Sequence, residues 1–265
     1  MQIIARPSPN YNDRMSGGID MLVLHYTGMV SREHALARLC ERTSKVSAHY
    51  LIDEVGLVYQ LVAEDRRAWH AGVSGWAGER DINSRSIGIE LVNPGHDLGY
   101  RNFSGLQMRS LAGLCREILA RHPIPPHRVL GHSDVAPGRK RDPGELFDWQ
   151  WLAGQGVGIW PGLHPYCTPP LFSHPTPTPL HQRGGALQLN STLLPPPPGG
   201  EGRGGGLEIP SLQKDLARFG YEVPQTGIYG TQTRAVVTAF QRHFRPAKVD
   251  GWADAQTAAI LQHLL

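Results

Sequence analysis

Cysteine is scarce in this 265-residue chain. Cys40, Cys115 and Cys167 form an odd, widely spaced set without a Cys-x-x-Cys pair, which argues against a disulfide scaffold. Each reads as a small apolar side chain, Cys115 within an amphipathic helical pattern. Long apolar runs are missing as well. The best, Met21 to Leu24, falls far short of the roughly 20 residues that cross a bilayer, so no transmembrane segment is expected. Charge of one sign is not in excess: 26 Lys and Arg against 23 Asp and Glu leave a net charge of +3. Without a concentrated basic stripe, nucleic acid is not an expected partner. Residues Met1 to Asn10 lack the basic start and apolar stretch of a secretory signal. The chain is nonetheless 40% hydrophobic and 18% charged, a balance that supports packed cores and fits one large domain or two smaller ones.

Proline and glycine, by contrast, are concentrated. The stretch 164–206 includes Pro195-Pro196-Pro197-Pro198 and Gly204-Gly205-Gly206 and has too few apolar side chains to offset its own ordering entropy. It reads as a semi-flexible linker between structured units at 1–163 and 207–265.

The first unit alternates strand and helix signals. Met21 to Tyr26 is a short apolar run of the buried-strand type. Ser31 is placed to cap a helix reaching about Glu41, with Leu36 and Leu39 inward. Val46 to Asp53 and Leu57 to Val62 read as strands joined by a tight turn ending at Gly56, and Ser86 to Val92 as another strand. Ser104 and Gln107 have capping-box spacing before the helical face of Leu111, Leu114, Cys115, Ile118 and Leu119, which Pro123 ends. Val129-Leu130 begins a last short strand. The pattern predicts an α/β domain with a mixed sheet flanked by helices.

The second unit reads as a small three-helix, all-α domain. Its helical faces are Leu212, Leu216 and Phe219; Val236, Val237, Phe240 and Phe244; and Ile260, Leu261 and Leu264. Thr226 to Ala235 also repeats as Asp250 to Ala259, matching at Gly227, Gln232, Thr233 and Ala235. Each copy is a glycine turn leading into a helix. Three short helices make a marginal core, so binding rather than catalysis is expected of them.

Histidine is the over-used residue, with 13 copies. His25 closes the run Leu22 to Thr27, where a strand end would fix the direction of its imidazole. His132 follows a strand in Gly131-His132-Ser133-Asp134, and Asp142 lies in Arg141-Asp142-Pro143-Gly144. Two imidazoles and a carboxylate make a three-ligand zinc set with one position open for water. Taken singly, each has a plainer reading: a strand histidine satisfied in the core, or turn residues capping their own backbone.

The joint pattern is more specific. Leu24-His-Tyr-Thr27, Ser47-Ala-His-Tyr50, Ala68-Trp-His-Ala-Gly72, Ser86-Ile-Gly-Ile-Glu90 and the run Gly131 to Gly144 occur in this order. Together they resemble the zinc-dependent N-acetylmuramoyl-L-alanine amidases of the type-2 amidase family, whose fold is shared with the peptidoglycan recognition proteins. Residues 207–265 separately resemble the three-helix peptidoglycan-binding domain at Leu212-Gln213, Phe219-Gly-Tyr221, Gly227-Ile-Tyr-Gly230, Ala235-Val236 and Phe240-Gln241. The resemblance is to the two-domain branch of the family.

What the resemblance implies is one zinc ion held by His25, His132 and Asp142, with Glu90 as proton acceptor and Lys140 as transition-state stabiliser. Amide hydrolysis needs both: a base for the attacking water and a cation for the oxyanion. Without the family match, Glu90 would be a carboxylate pairing with Arg85 or Arg101, and Lys140 one more member of a solvated basic run. Ala48 stands where some phage members have a catalytic tyrosine, so that variant of the mechanism is not expected. His49, Trp69, His70, Asn83, Arg85 and Asn93 are candidates for the substrate groove; each is equally a core or turn residue.

The implied reaction cleaves the amide between the lactyl group of N-acetylmuramic acid and L-alanine, in peptidoglycan or muropeptides. The alternative is a non-catalytic peptidoglycan recognition protein, against which the full set of ligand and catalytic positions argues. A wall-binding module points to the cell envelope. With no signal and no lipid-attachment cysteine near Met1, the cytoplasm is the alternative.

Overall fold

The computed structural model describes residues 2–15, 17–162 and 208–265. The linker expected at 164–206, and Cys167 within it, lie outside the described residues.

Short strands β1 (Ile3–Ala5) and β2 (Tyr11–Asp13) precede β3 (Met21–Tyr26) and helix α1 (Arg32–Cys40). Ser31 Oγ caps α1 by accepting from the His34 amide. The expected strand pair is shorter than its apolar pattern, as β4 (Tyr50–Ile52) and β5 (Val58–Gln60), and is followed by β6 (Arg66–Ala68). Next come α2 (Ile82–Arg85), β7 (Ser86–Leu91), α3 (Gly105–Arg121) and β8 (Val129–Gly131). Two short helices, α4 (His132–Val135) and α5 (Trp149–Gly154), complete the first unit. The capping box expected at α3 is half formed. Ser104 caps the Gln107 amide, but the Gln107 amide group donates to Ile52 O and Val92 O, tying the ends of two strands together.

The main sheet has the order β1-β5-β4-β7-β3-β8, parallel except for the β4–β5 pair, and β2 and β6 form a separate ribbon. Strand periodicity divides β3 and β7 cleanly. Leu22, Leu24, Ile87, Ile89 and Leu91 enter the core beneath α3. Met21 and Val23 point the other way, as do Ser86, Gly88 and Glu90 by alternation.

That second face is covered from two sides. Ala35 and Leu39 of α1 pack on Leu51. Over β3 and β8 lie the C-terminal helices α6 (Ile209–Phe219), α7 (Thr231–Phe244) and α8 (Ala255–Leu264). Leu212, Leu216, Phe240 and Phe244 share one cluster with Met21, Val23, Leu130 and Val135. The helical unit is therefore packed on the sheet rather than standing apart from it. The physical reason is the one that made its own core marginal: a small helical unit gains from burying its apolar face against a larger partner. The same packing explains why β3 is buried along both faces, as a continuous apolar strand should be.

Candidate active site

Three strand ends build the site. Parallel register sets His25 beside Glu90 and Leu24 beside Gly131, so β3, β7 and β8 release their chemistry at one carboxyl edge, the usual place for a site in a parallel sheet. His132 begins α4 immediately after β8, and Asp142 arrives on the loop beyond α4. The backbone closes that loop: the Ser133 amide donates to Asp142 O at 2.9 Å.

His25 Nδ1, His132 Nδ1 and Asp142 Oδ2 form a triangle with sides of 2.9, 3.0 and 2.9 Å. All three residues are buried, at 1%, 3% and 6% exposure. Burial alone would raise the Asp142 carboxyl, whereas a proton on either imidazole facing it would pull it far below the ordinary carboxylate range. His25 is pushed down to about 4 by burial and then by His132. Two imidazoles and a carboxylate are the donor chemistry that zinc takes.

The far ring nitrogens test that fit. His132 Nε2 lies 3.0 Å from Ala71 O, an acceptor only, so Nε2 carries the proton and Nδ1 presents a lone pair. His25 Nε2 is 3.1 Å from His70 Nδ1, and His70 Nε2 is 3.3 Å from Ser86 Oγ, which donates to Ile82 O. With Ser86 donating to a carbonyl, the proton order runs back along the chain. His70 Nε2–H donates to Ser86, and His25 Nε2–H donates to His70. Both histidine Nδ1 atoms are thereby left free toward Asp142, as metal ligands require. The residues fit a zinc ion.

Glu90 faces the same space. Its Oε2 is buried with no hydrogen-bond partner among the described residues. Burial, then the charge of Asp142, raises its pKa to about 8 against the pull of Lys140. Neither arginine expected from the plainer reading reaches it: Arg85 pairs with Asp20 and Arg101 with Glu54. The basic run also divides. Arg139 turns inward to Ala71 O and Val73 O, and Arg141 pairs with Asp97. Lys140 lines a cleft of about 390 Å³ together with Tyr26, Trp69, Glu90, His132 and Asp142.

The groove candidates separate by location. Trp69 borders the cleft, its indole N–H donating to Asn12 Oδ1 at 2.6 Å. His70 touches the cleft, but its ring is spent on His25 and Ser86. It fits only because Gly88 lies beneath it, where a Cβ would collide with the ring. His49 is fully buried one ring further back; its Nδ1 accepts from the Gly88 amide, and burial followed by Arg14 lowers its pKa to about 3. Asn83 Oδ1 accepts from the amides of His70 and Ala71, holding that segment in place. Asn93 closes its own loop through the Gly95 amide and Arg101 O. Arg85 sits at the opposite end of β7, bound to Asp20. The polar atoms of His49, Asn83, Asn93 and Arg85 are engaged within the fold, the arrangement that the plainer core or turn reading of each describes.

One group was not anticipated from sequence. The Tyr26 hydroxyl donates to His96 Nδ1 at 2.8 Å, and His96 Nε2 faces Glu145 at 3.2 Å. The partners are far apart along the chain, and the packing is close: a Cβ at Gly95 would collide with the Tyr26 ring and one at Gly144 with Tyr100 and His96.

A parallel-edge cleft with a zinc-type donor triad, a raised carboxyl and a lysine has the parts of a metal-assisted hydrolase. Comparison with known proteins gives the particular family. Residues 15–145 match the N-acetylmuramoyl-L-alanine amidase model, and residues 205–261 match a peptidoglycan binding domain. The chain is 37% identical to the N-acetylmuramoyl-L-alanine amidase AmiD of Escherichia coli over 93% of this chain and 82% of that one. Its fold is similar to the structure of E. coli AmiD in complex with the substrate anhydro-N-acetylmuramic acid-L-Ala-D-gamma-Glu-L-Lys, with a TM-score of 0.72 at 36% identity, covering 95% and 90% of the two chains. AmpDh3 from Pseudomonas aeruginosa, in complex with anhydromuramic pentapeptide, aligns with a TM-score of 0.71 at 31% identity over 96% and 95%. This chain belongs to the N-acetylmuramoyl-L-alanine amidase family, whose enzymes are in general zinc-dependent and act on peptidoglycan and muropeptides.

Proposed function

We propose that this chain hydrolyses the amide joining the lactyl group of N-acetylmuramic acid to the L-alanine of the stem peptide, with one zinc ion held by His25, His132 and Asp142. The observation that carries this reading is the convergence of three buried ligand atoms within hydrogen-bond distance of one another, beside a carboxyl whose Oε2 has no partner among the described residues. Zinc at this position supplies Lewis-acid activation of water and of the scissile carbonyl.

The chain's own residues do the rest. Glu90 takes the proton of the attacking water and returns it to the leaving amine of L-alanine, a double duty for which its carboxyl faces the same cleft as the ligands. Lys140 presents a cation to the oxyanion that forms when water adds to the carbonyl. The Ala71 carbonyl and His70 fix the protons of the two ligand imidazoles, so their lone pairs stay aimed at the ion. Trp69 gives the cleft an aromatic wall suited to a sugar or peptide face. The place of action we propose is the cell envelope, where the polymer lies, with the cytoplasm as the alternative that fractionation would detect.

A cell-wall zymogram with and without a chelator tests the reading. A cleared band that disappears with chelator and returns with zinc is expected. Tight binding to the wall without clearing would instead favour the non-catalytic recognition protein.

A further inference from the structure

Two consecutive residues of α7, Arg242 and His243, reach the two segments that carry metal-site residues, helix α4 with His132 and the loop with Asp142. His243 Nδ1 donates to Asp134 Oδ2 at 2.7 Å, two residues after His132. Arg242 Nε lies 3.6 Å from Glu145 Oε2, three residues after Asp142. Asp134 is held from further directions as well. Tyr221 donates its hydroxyl to Oδ1 at 2.6 Å, and the Gly131 amide donates to Oδ2 at 2.7 Å. Asp134 is 1% exposed, and a buried carboxylate with several charge-assisted hydrogen bonds fixes the backbone that carries it. The His243 ring itself cannot swing, being stacked between Trp149 at 3.7 Å and Phe244 at 3.9 Å. Beyond the end of α4, any Cβ on Gly138 would press on Ala235 of α7.

We infer that the C-terminal helical unit is a working part of the metal site, with Tyr221 and His243 acting as positioning residues for His132 through Asp134. The inference rests on reading His25, His132 and Asp142 as the metal group. It gives the unit a second role besides attachment to the polymer: one wall of the ligand set is built only when the helices are docked. Metal affinity is then sensitive to side chains in a unit that supplies no ligand.

The test uses the full chain. Chelator competition gives the zinc affinity, and the visible spectrum of the cobalt-substituted protein gives the ligand geometry. His243→Leu removes the donor to Asp134 and is expected to weaken zinc by about tenfold, within the range seen when outer partners of a ligand are lost, and to shift the cobalt bands. His243→Asn places an amide N–H where Nδ1 was and is expected to restore most of both readouts. Tyr221→Phe keeps the ring volume and is expected to move both in the same direction by a smaller amount, which decides the matter if His243→Leu fails to fold. Gln262→Ala, on an exposed contact to Asp215, is expected to change neither. Unaltered zinc affinity and cobalt bands in His243→Leu and Tyr221→Phe, in a background that binds zinc stoichiometrically, would overturn the positioning role and leave the metal site standing. A wild-type chain that takes up no zinc would overturn both.

Discussion

His25 and Glu90 occupy one register position on neighbouring parallel strands, and their side chains leave the sheet on the same face. A metal ligand and the base that serves it are thus spaced by the sheet itself, the most rigid element available. The two roles should be separable by mutation. Glu90→Ala is expected to keep stoichiometric zinc and lose activity by at least about a hundredfold, the usual contribution of a positioned base. His132→Ala is expected to lose the ion as well. Elemental analysis alongside turnover checks both, and full zinc occupancy in His132→Ala would contradict its place in the ligand set.

The carboxyl of Glu90 also predicts a pH signature. Its folded value of about 8 lies above the ordinary 4.5, so the stability it contributes is complete below about pH 4.5 and lost as pH rises through about 8. Zinc-free Glu90→Gln should therefore melt above zinc-free wild type at alkaline pH and near it at acid pH. In the zinc-loaded enzyme the added cation lowers this value, and activity should rise with pH as Glu90 ionises. Coincident melting curves for the two zinc-free proteins at alkaline pH would contradict the buried, raised carboxyl.

Gly88 tests the histidine chain behind the ligands. A methyl group there meets the His70 ring, and overpacking of this kind costs about 1–3 kcal/mol. Gly88→Ala should lower Tm and weaken zinc together, since displacing His70 frees the proton order of His25. Chelator titration with thermal melts would reveal a loss of stability without a loss of zinc, which would separate His70 from the metal.

Arg85 should behave in the opposite way. It is bound to Asp20 at the far end of β7, and Arg128 also reaches that carboxylate. Arg85→Ala is expected to cost about 1 kcal/mol of stability and to leave KM for a muropeptide unchanged. A raised KM would return it to the substrate groove.

Much of this site was legible in the chain because it sits at strand ends. Met21 to Tyr26 reads as a short apolar run and Ser86 to Val92 as a strand, and His25 and Glu90 lie one residue before the ends of the β3 and β7 that these become. Polar residues within the segments were harder to sort. His49, His70 and Asn83 have the side chains of a binding groove, yet their partners are backbone groups and other rings brought in by non-local pairing. No spacing along the chain encodes that. The docking of the C-terminal helices was also hidden. Met21 and Val23 are apolar on the face those helices cover, but a doubly buried strand does not say which element does the burying. The contact of Asp134 with His243 spans the whole linker and has no local signal.

The most direct measurement is mass spectrometry of the products formed from a soluble muropeptide by the zinc-loaded enzyme and by Glu90→Ala. The account predicts a free stem peptide beginning at L-alanine together with the intact muramyl carboxylate from wild type, and unchanged substrate from the variant. Cleavage at any other bond, or the same products from Glu90→Ala at the wild-type rate, would contradict it.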